Sequence, residues 1–271
     1  MEYINKILQG DCIEVMKGIE DNSIDLTVTS PPYDNLRIYK GYIFNFEGIA
    51  KELFRVTKQG GIVVWVVGDA TIKGSETGTS FKQALYFKEI GFNLHDTMIY
   101  EKNGSSFPAR RNGNRYSQIF EYMFIFSKGN LKTHNLICDK KNRWEGYTSF
   151  GKSKMRNKDG NLVEREMKPV PEFSSRNNIW RYNTGNNYST KDKIAYQHPA
   201  IFPEKLAQDH IISWSNPGDV VLDPMCGSGT TCKMAKELGR KYIGIEKDKD
   251  YVEIARKRIK AIPQTLFDYA K

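Results

Sequence analysis

Residues 219–248 read DVVLDPMCGSGTTCKMAKELGRKYIGIEKD. An apolar run from Val220 to Leu222 meets Asp223-Pro224, then the tight loop Gly227-Ser228-Gly229, then helical spacing from Thr230 to Leu238. Gly239 can take the left-handed conformation that ends a helix, and Tyr242 to Ile245 reads as the next strand, finishing at Glu246. The stretch is therefore one strand–helix–strand unit. A glycine loop that opens a helix lets a ligand approach the backbone and presents unpaired N–H groups to a negative group.

Glu246 follows Asp223 by 23 residues, about the spacing at which an acid reaches the ribose hydroxyls of a bound nucleoside. The full Gly-x-Gly-x-x-Gly of dinucleotide-binding folds is absent, because Cys232 stands at the third glycine position. Pyrophosphate is disfavoured. A nucleoside carrying a carboxylate fits better, and S-adenosylmethionine is such a molecule.

Outward from this unit the chain keeps alternating. Ile4 to Leu8 reads as a strand, Cys12 to Ile19 as a helix, Ile24 to Thr29 as a strand and Phe46 to Val56 as a helix stopped by Gly60-Gly61. Ile62 to Val67 is a strand, Ser80 to Ile90 a helix, and Leu94 to Tyr100 and Ile119 to Phe126 are strands. A helix over Pro203 to Trp214 leads back to the glycine loop. Such alternation predicts an α/β fold, a mostly parallel sheet covered on both faces.

Between Gly129 and Gln197 no period of 2 or 3.6 is sustained, and Asn, Lys, Arg, Ser, Trp and Tyr dominate. Residues 1–128 and 197–271 are therefore read as one domain and 129–196 as an insertion, since loops of this size are seldom idle. Charge supports the division. Residues 102–191 hold 18 Lys and Arg against 7 Asp and Glu, whereas the whole chain holds 41 against 32. The net positive charge of +9 thus belongs to the middle of the chain, where it suits a polyanion footprint. Trp144 and Trp180 are read as the core of the inserted region.

The longest strongly apolar run, Ile62 to Val67, is too short to span a bilayer, and the amino terminus lacks a secretion-signal pattern. Four scattered cysteines form no Cys-x-x-Cys pair, which argues against a disulfide framework or structural zinc and suits a reducing cytoplasm. Isolated histidines lead us to expect no metal site.

Two separated stretches, TSPPY (29–33) and DPMCGSGTT (223–231), together resemble the amino-group DNA methyltransferases of bacteria and phages, and HPAIFPEKL (198–206) resembles a third element of that family. With the proline corner first, the insertion next and the glycine loop last, the order looks like the family's beta group. The resemblance covers residues 1–128 and 197–271. It implies a Rossmann-like, S-adenosylmethionine-dependent fold of seven strands, the final one antiparallel, with 129–196 as target-recognition region.

The resemblance also assigns roles. Asp223, Pro224, Cys226, Gly227, Ser228, Gly229 and Thr230 would surround the methionine part of S-adenosylmethionine, Glu246 the ribose, and Asp11 with Cys12 the adenine. Phe202 would close the pocket. Met225 stands where the family pattern reads phenylalanine.

Ser30, Pro31, Pro32 and Tyr33 would carry the chemistry. An exocyclic amine of cytosine or adenine is a poor nucleophile, because its lone pair is delocalised into the ring. A serine hydroxyl and a proline carbonyl can accept its N–H groups and localise that pair, and rigid prolines hold both oxygens in advance. The nitrogen then attacks in line, with no covalent enzyme adduct. A base inside a duplex must first be rotated out, and Tyr33 would stack on it. Within the family that the corner resembles, serine in the first position mostly accompanies N4 of cytosine, so the resemblance favours that target over N6 of adenine.

Duplex DNA is the implied partner, and the family admits a homodimer and a cognate restriction endonuclease. Arg110, Arg111, Arg115 and Tyr116 in one Gly- and Pro-containing loop, with Lys141, Arg143, Arg176 and Arg181 further on, are the expected DNA contacts. Competing readings are an RNA or protein-glutamine methyltransferase, a nucleotide-binding dehydrogenase and a non-enzymatic DNA-binding module. Serine in the corner with a long basic insertion, the missing third glycine and the complete cofactor loop oppose them in turn.

Overall fold

A computed structural model describes residues 2–32, 44–104, 115–148, 154–164, 168–185 and 187–262. Two compact units emerge, one formed by Met1–Asn135 with Asn178–Lys271 and the other by Leu136–Asn177.

The first unit is built on a sheet of strands β1 (Lys6–Gln9), β2 (Ile24–Thr29), β3 (Thr57–Val67), β4 (Asn93–Lys102), β5 (Phe120–Ser127), β6 (Ile179–Tyr182), β7 (Val220–Asp223) and β8 (Lys241–Glu246). Their spatial order is β1-β8-β7-β2-β3-β5-β4-β6. β5 runs antiparallel to both neighbours, and the other pairings are parallel. The helices are α1 (Cys12–Met16), α2 (Phe46–Val56), α3 (Thr79–Glu89), α4 (Glu204–Trp214), α5 (Thr230–Glu237) and α6 (Lys249–Lys260).

The run IVVWVV in β3 has no polar alternation because both faces are covered. Ile62, Val64 and Val66 pack with α4, α5 and α6, whereas Val63, Trp65 and Val67 pack with α2 and α3. This is a three-layer α/β architecture. Parallel order brings the carboxyl ends of β1, β2, β7 and β8 to one edge, where α/β sheets bind ligands.

Four expectations need correction, the last of them, on Trp144, in the second unit. The sheet has eight strands among the described residues, not seven. The extra one, β6, lies in the stretch that showed no period, since four residues are too few to establish alternation; Trp180 and Tyr182 are nevertheless buried and Ile179 and Arg181 exposed. The antiparallel strand is not the final one in the chain but β5, inside the sheet. In addition, Trp180 belongs to the core of the main sheet, against His210 with ring centroids 4.7 Å apart, and not to the inserted region. The helix α6, capped by the Asp248 side chain, was not anticipated at all.

Among its described residues the second unit carries two short antiparallel strand pairs, Lys140–Lys141 with Phe173–Ser174 and Lys154–Arg156 with Leu162–Glu164. Trp144 is 58% exposed, so it is not the core residue its size suggested. Composition changes at 129 and 197, whereas the compact division falls at 136 and 178. The flanks 129–135 and 178–196 belong to the first unit because they bond to it. The Asn135 amide donates to the Ser215 carbonyl at 3.2 Å, and β6 joins β4.

Candidate active site at the carboxyl edge of the sheet

The strand β7 ends on Asp223, whose side chain is buried. Its Oδ1 accepts the Thr29 hydroxyl at 2.8 Å and the Met225 N–H at 3.2 Å. Burial pushes the Asp223 carboxyl up to about 6, against the lowering pull of Thr29. Thr231, in the first turn of α5, donates to the Val28 carbonyl at 3.1 Å. The residues just before Ser30 are thereby fastened to the glycine loop from both sides. Ser30 and Pro32 are half-buried and Pro31 is buried at the end of β2. Tyr33 lies outside the described residues.

Glu246 closes the other side. Its Oε2 accepts Gly227 N–H at 2.9 Å and its Oε1 accepts Asp248 N–H at 2.8 Å, while its own carbonyl accepts Gly10 N–H at 3.0 Å. Burial raises the Glu246 carboxyl, and these backbone donors pull it back down. Cys226 N–H donates to the Ile245 carbonyl at 2.9 Å, so loop and strand ends form one hydrogen-bonded block. Asp11 is exposed, caps α1 by accepting Ile13 N–H at 3.0 Å, and has Lys247 Nζ at 3.6 Å. Asp11, Cys12, Glu246 and the glycine loop therefore share one edge.

The glycines have a further reason beside the one read in the sequence. Gly227 (φ +49°) and Gly229 (φ +78°) both occupy the left-handed region. A Cβ on Gly227 would come within 2.8 Å of His198 Nε2, and one on Gly229 within 2.7 Å of Ala255 Cβ. The bare faces thus admit protein, not only a ligand. His198 also meets Tyr251 edge to face at 4.4 Å, which sets the HPAIF segment against the loop. Phe202 is half-buried beside the core, and Met225 packs on the apolar cluster of α2 and α3.

Two free cysteines stand at this edge, Cys12 half-buried and Cys226 buried. Its bond with Cys232, and then burial, hold the Cys226 thiol well above its ordinary range, and burial pushes Cys12 up to about 12. Both are neutral thiols.

The donor set suits a nucleoside with a diol. Glu246 offers two carboxylate oxygens, each with a lone pair beyond the one its backbone donor uses, and ribose hydroxyls are donors. Pro224, Ser228 and Thr230 complete the loop, but Ser228 and Thr230 turn their oxygens to Arg258 at 3.0 and 3.1 Å. Neither Thr29 nor Arg258 was assigned a role from the sequence. Thr29 sits beside the corner and could have been suspected; Arg258 looks like any arginine on an amphipathic helix.

The expected DNA contacts that are described fall in both units. Arg110 and Arg111 lie outside the described residues. Arg115 donates to the Gly74 carbonyl and stands 3.8 Å from Glu76, and Tyr116 is 99% exposed. Arg181 is exposed on β6. In the second unit Lys141 is exposed, Arg143 lies 5.5 Å over the Trp144 ring, and Arg176 is held by Asp139 at 3.1 Å.

A family model described as DNA methylase (N6_N4_Mtase) matches residues 24–257. The orphan methyltransferase M.BamHII of Bacillus amyloliquefaciens is 63% identical over 245 residues, covering 90% of this chain and 91% of that protein. The type II methyltransferase M.HinfI of Haemophilus influenzae is 28% identical over 286 residues, covering 96% of this chain and 70% of its own. Among solved structures, PvuII DNA methyltransferase, described as cytosine-N4-specific, aligns with a TM-score of 0.69 at 21% identity, over 96% of this chain and 88% of that one. The M1.HpyAVI–SAM complex aligns at 0.57 and 23% identity, over 94% of this chain and 98% of that one. These two likenesses concern the fold.

Proposed function

The chain belongs to the DNA methylase family N6_N4_Mtase, and from that premise we propose that it methylates the exocyclic N4 amine of cytosine in duplex DNA, with S-adenosylmethionine as donor. The observation that carries this reading is the Thr29–Asp223 bond, which sets the Ser30 corner beside the glycine loop. An amine held at Ser30 and a methyl donor held at 223–230 would then be neighbours. When bound, S-adenosylmethionine supplies an electrophilic methyl group on a sulfonium.

The protein's own part is to bind and aim. Glu246 takes the ribose hydroxyls, Asp11 and Cys12 border the adenine, and Phe202 closes the apolar side. Ser30 Oγ and a proline carbonyl of the corner accept the two amine N–H groups, which localises the nitrogen lone pair. Pro31 and Pro32 hold those acceptors in place before the base arrives, so little ordering remains for the transition state. Tyr33 stacks on the base once it has left the duplex. Neutral thiols at Cys12 and Cys226 agree with direct transfer without an enzyme adduct.

Serine at the head of the corner supports N4 of cytosine, by the pattern of the family that the corner resembles. The surplus charge of residues 102–191 suits the DNA backbone, with Arg110, Arg111, Arg115, Tyr116, Lys141, Arg143, Arg176 and Arg181 as contacts and 129–196 as target-recognition region. The 63%-identical relative is named an orphan methyltransferase, which favours an enzyme acting without a cognate endonuclease.

The test is mass analysis of nucleosides from DNA incubated with the pure protein and isotopically labelled S-adenosylmethionine. Labelled N4-methyldeoxycytidine is expected. Labelled N6-methyldeoxyadenosine would move the target to adenine, and unlabelled DNA under saturating conditions would end the proposal.

A further inference from the structure

Arg258, in the last turn of α6, has a side chain with 0% exposure, yet it is not spent on a simple ion pair. Its Nη1 donates to the Ser228 carbonyl at 2.7 Å, to Ser228 Oγ at 3.0 Å and to Thr230 Oγ1 at 3.1 Å. Its Nη2 donates to Glu204 Oε1 at 2.7 Å, and its Nε to Asp192 Oδ2 at 3.0 Å. A second cation, Lys233, reaches the same two acids at 2.8 Å each without donating to the loop. We infer that Arg258 is the positioning residue of the glycine loop, fixing Ser228-Gly229-Thr230 in the shape that receives the cofactor.

The physical reason lies in the loop itself. Two glycines at positive φ leave the backbone between them many alternative shapes, and a bound nucleoside would have to select one at an entropic cost. A planar guanidinium stays charged and offers donors in a fixed fork, so Nη1 can hold the loop while Nη2 and Nε hold Glu204 and Asp192; a single ammonium nitrogen cannot reproduce that spread. Burying it is costly unless every face is paired, and here Asp192 and Glu204 balance Arg258 and Lys233. The far side of the fork reaches Glu204, two residues after Phe202, and Asp192, so the loop is held against the segment that carries the pocket's lid residue. Ordering in advance lowers what cofactor binding must supply.

The inference rests on Gly227 to Thr230 being the cofactor loop. Titration of the full chain with S-adenosylmethionine, together with thermal unfolding and methyl-transfer kinetics, tests it in Arg258→Lys and Lys233→Met. Arg258→Lys should raise both the dissociation constant and KM for S-adenosylmethionine about tenfold, with kcat at saturation nearly unchanged. Lys233→Met breaks the same network away from the loop, and should lower Tm while leaving cofactor affinity near wild type. Arg258→Met with Glu204→Gln, which keeps the buried charges balanced, carries the same expectation as Arg258→Lys should that variant unfold. Wild-type affinity in either Arg258 variant, or an equal loss in Lys233→Met, overturns the positioning role. A wild-type protein that binds no S-adenosylmethionine would instead overturn the cofactor site.

Discussion

Thr29 donates its hydroxyl to Asp223 across 2.8 Å, joining two strand ends that are 194 residues apart in the chain. The bond is buried, so neither partner can turn to water if the other is lost. It also makes Asp223 a structural hinge-pin between the proline corner and the glycine loop, in addition to any contact with a ligand.

Thr29→Val keeps the shape of the side chain and removes the donor. Leaving a buried carboxyl short of a partner should cost about 1–3 kcal/mol. Urea unfolding at neutral pH reads the loss directly. An unchanged midpoint and slope would mean the bond contributes nothing.

The same carboxyl sets a pH dependence. Its folded value of about 6 lies above its ordinary 3.8, so the native state holds the proton more tightly than the unfolded chain does. That contribution is fully present below about pH 4 and is lost as pH rises through about 6, for a total of about 3 kcal/mol. Asp223→Asn removes the step. The difference in unfolding free energy between wild type and this variant should therefore shift in the variant's favour from acid to neutral pH, and a constant difference would refute the buried titration.

Ser30→Ala should remove most methyl transfer while cofactor affinity stays near wild type, because the role proposed for the hydroxyl is to receive the base. Loss of one positioned acceptor costs on the order of 10²-fold in rate, by analogy with oxyanion-hole donors. Single-turnover kinetics at saturating DNA decide the matter. Wild-type turnover would clear Ser30 of the role.

Glu246→Ala should do the reverse and more. A lost carboxylate–ribose contact weakens S-adenosylmethionine binding by roughly 1.5–3 kcal/mol. The structure adds a second effect: Gly227 and Asp248 lose their acceptor, so stability should fall as well. Calorimetric titration well below Tm separates the two, and DNA binding without cofactor should hardly change.

For the basic middle segment, Arg110→Ala with Arg111→Ala should flatten the salt dependence of DNA binding. Each neutralised phosphate contributes a log–log slope near −0.9, so the pair should account for up to about 2. Equal losses on cognate and random duplexes would mark phosphate contacts, and a larger loss on cognate DNA a base contact. Wild-type slope and affinity on both would make the loop a solvated basic surface.

Much of the molecule could be read without coordinates. The strand Ile24–Thr29 and the helix Phe46–Val56 have the bounds their residues suggested, and the strand–helix–strand unit around Gly227 is where its turns placed it. Those features are local: hydrophobic period, caps and glycine breaks act over a few residues, and each leaves its mark in the chain. Elements with a faint local mark escaped for the same reason. β6 is four residues long, and α6 has a charged outer face that hid its buried stripe.

By itself, then, the sequence determined the alternation of strands and helices, the order of the proline corner and glycine loop, and the amino-acid types available for chemistry. Strand order decided the rest. Only once β7 lies between β2 and β8 does Asp223 meet Thr29. At the same edge Glu246 meets Gly227, and Gly227 and Gly229 must be glycine because His198 and Ala255 press on them. Whether Asp223 faces a ligand or a neighbouring strand depends on a contact between residues 194 positions apart. No period or spacing along the chain encodes such a contact, because it exists only after the sheet has brought those strands side by side.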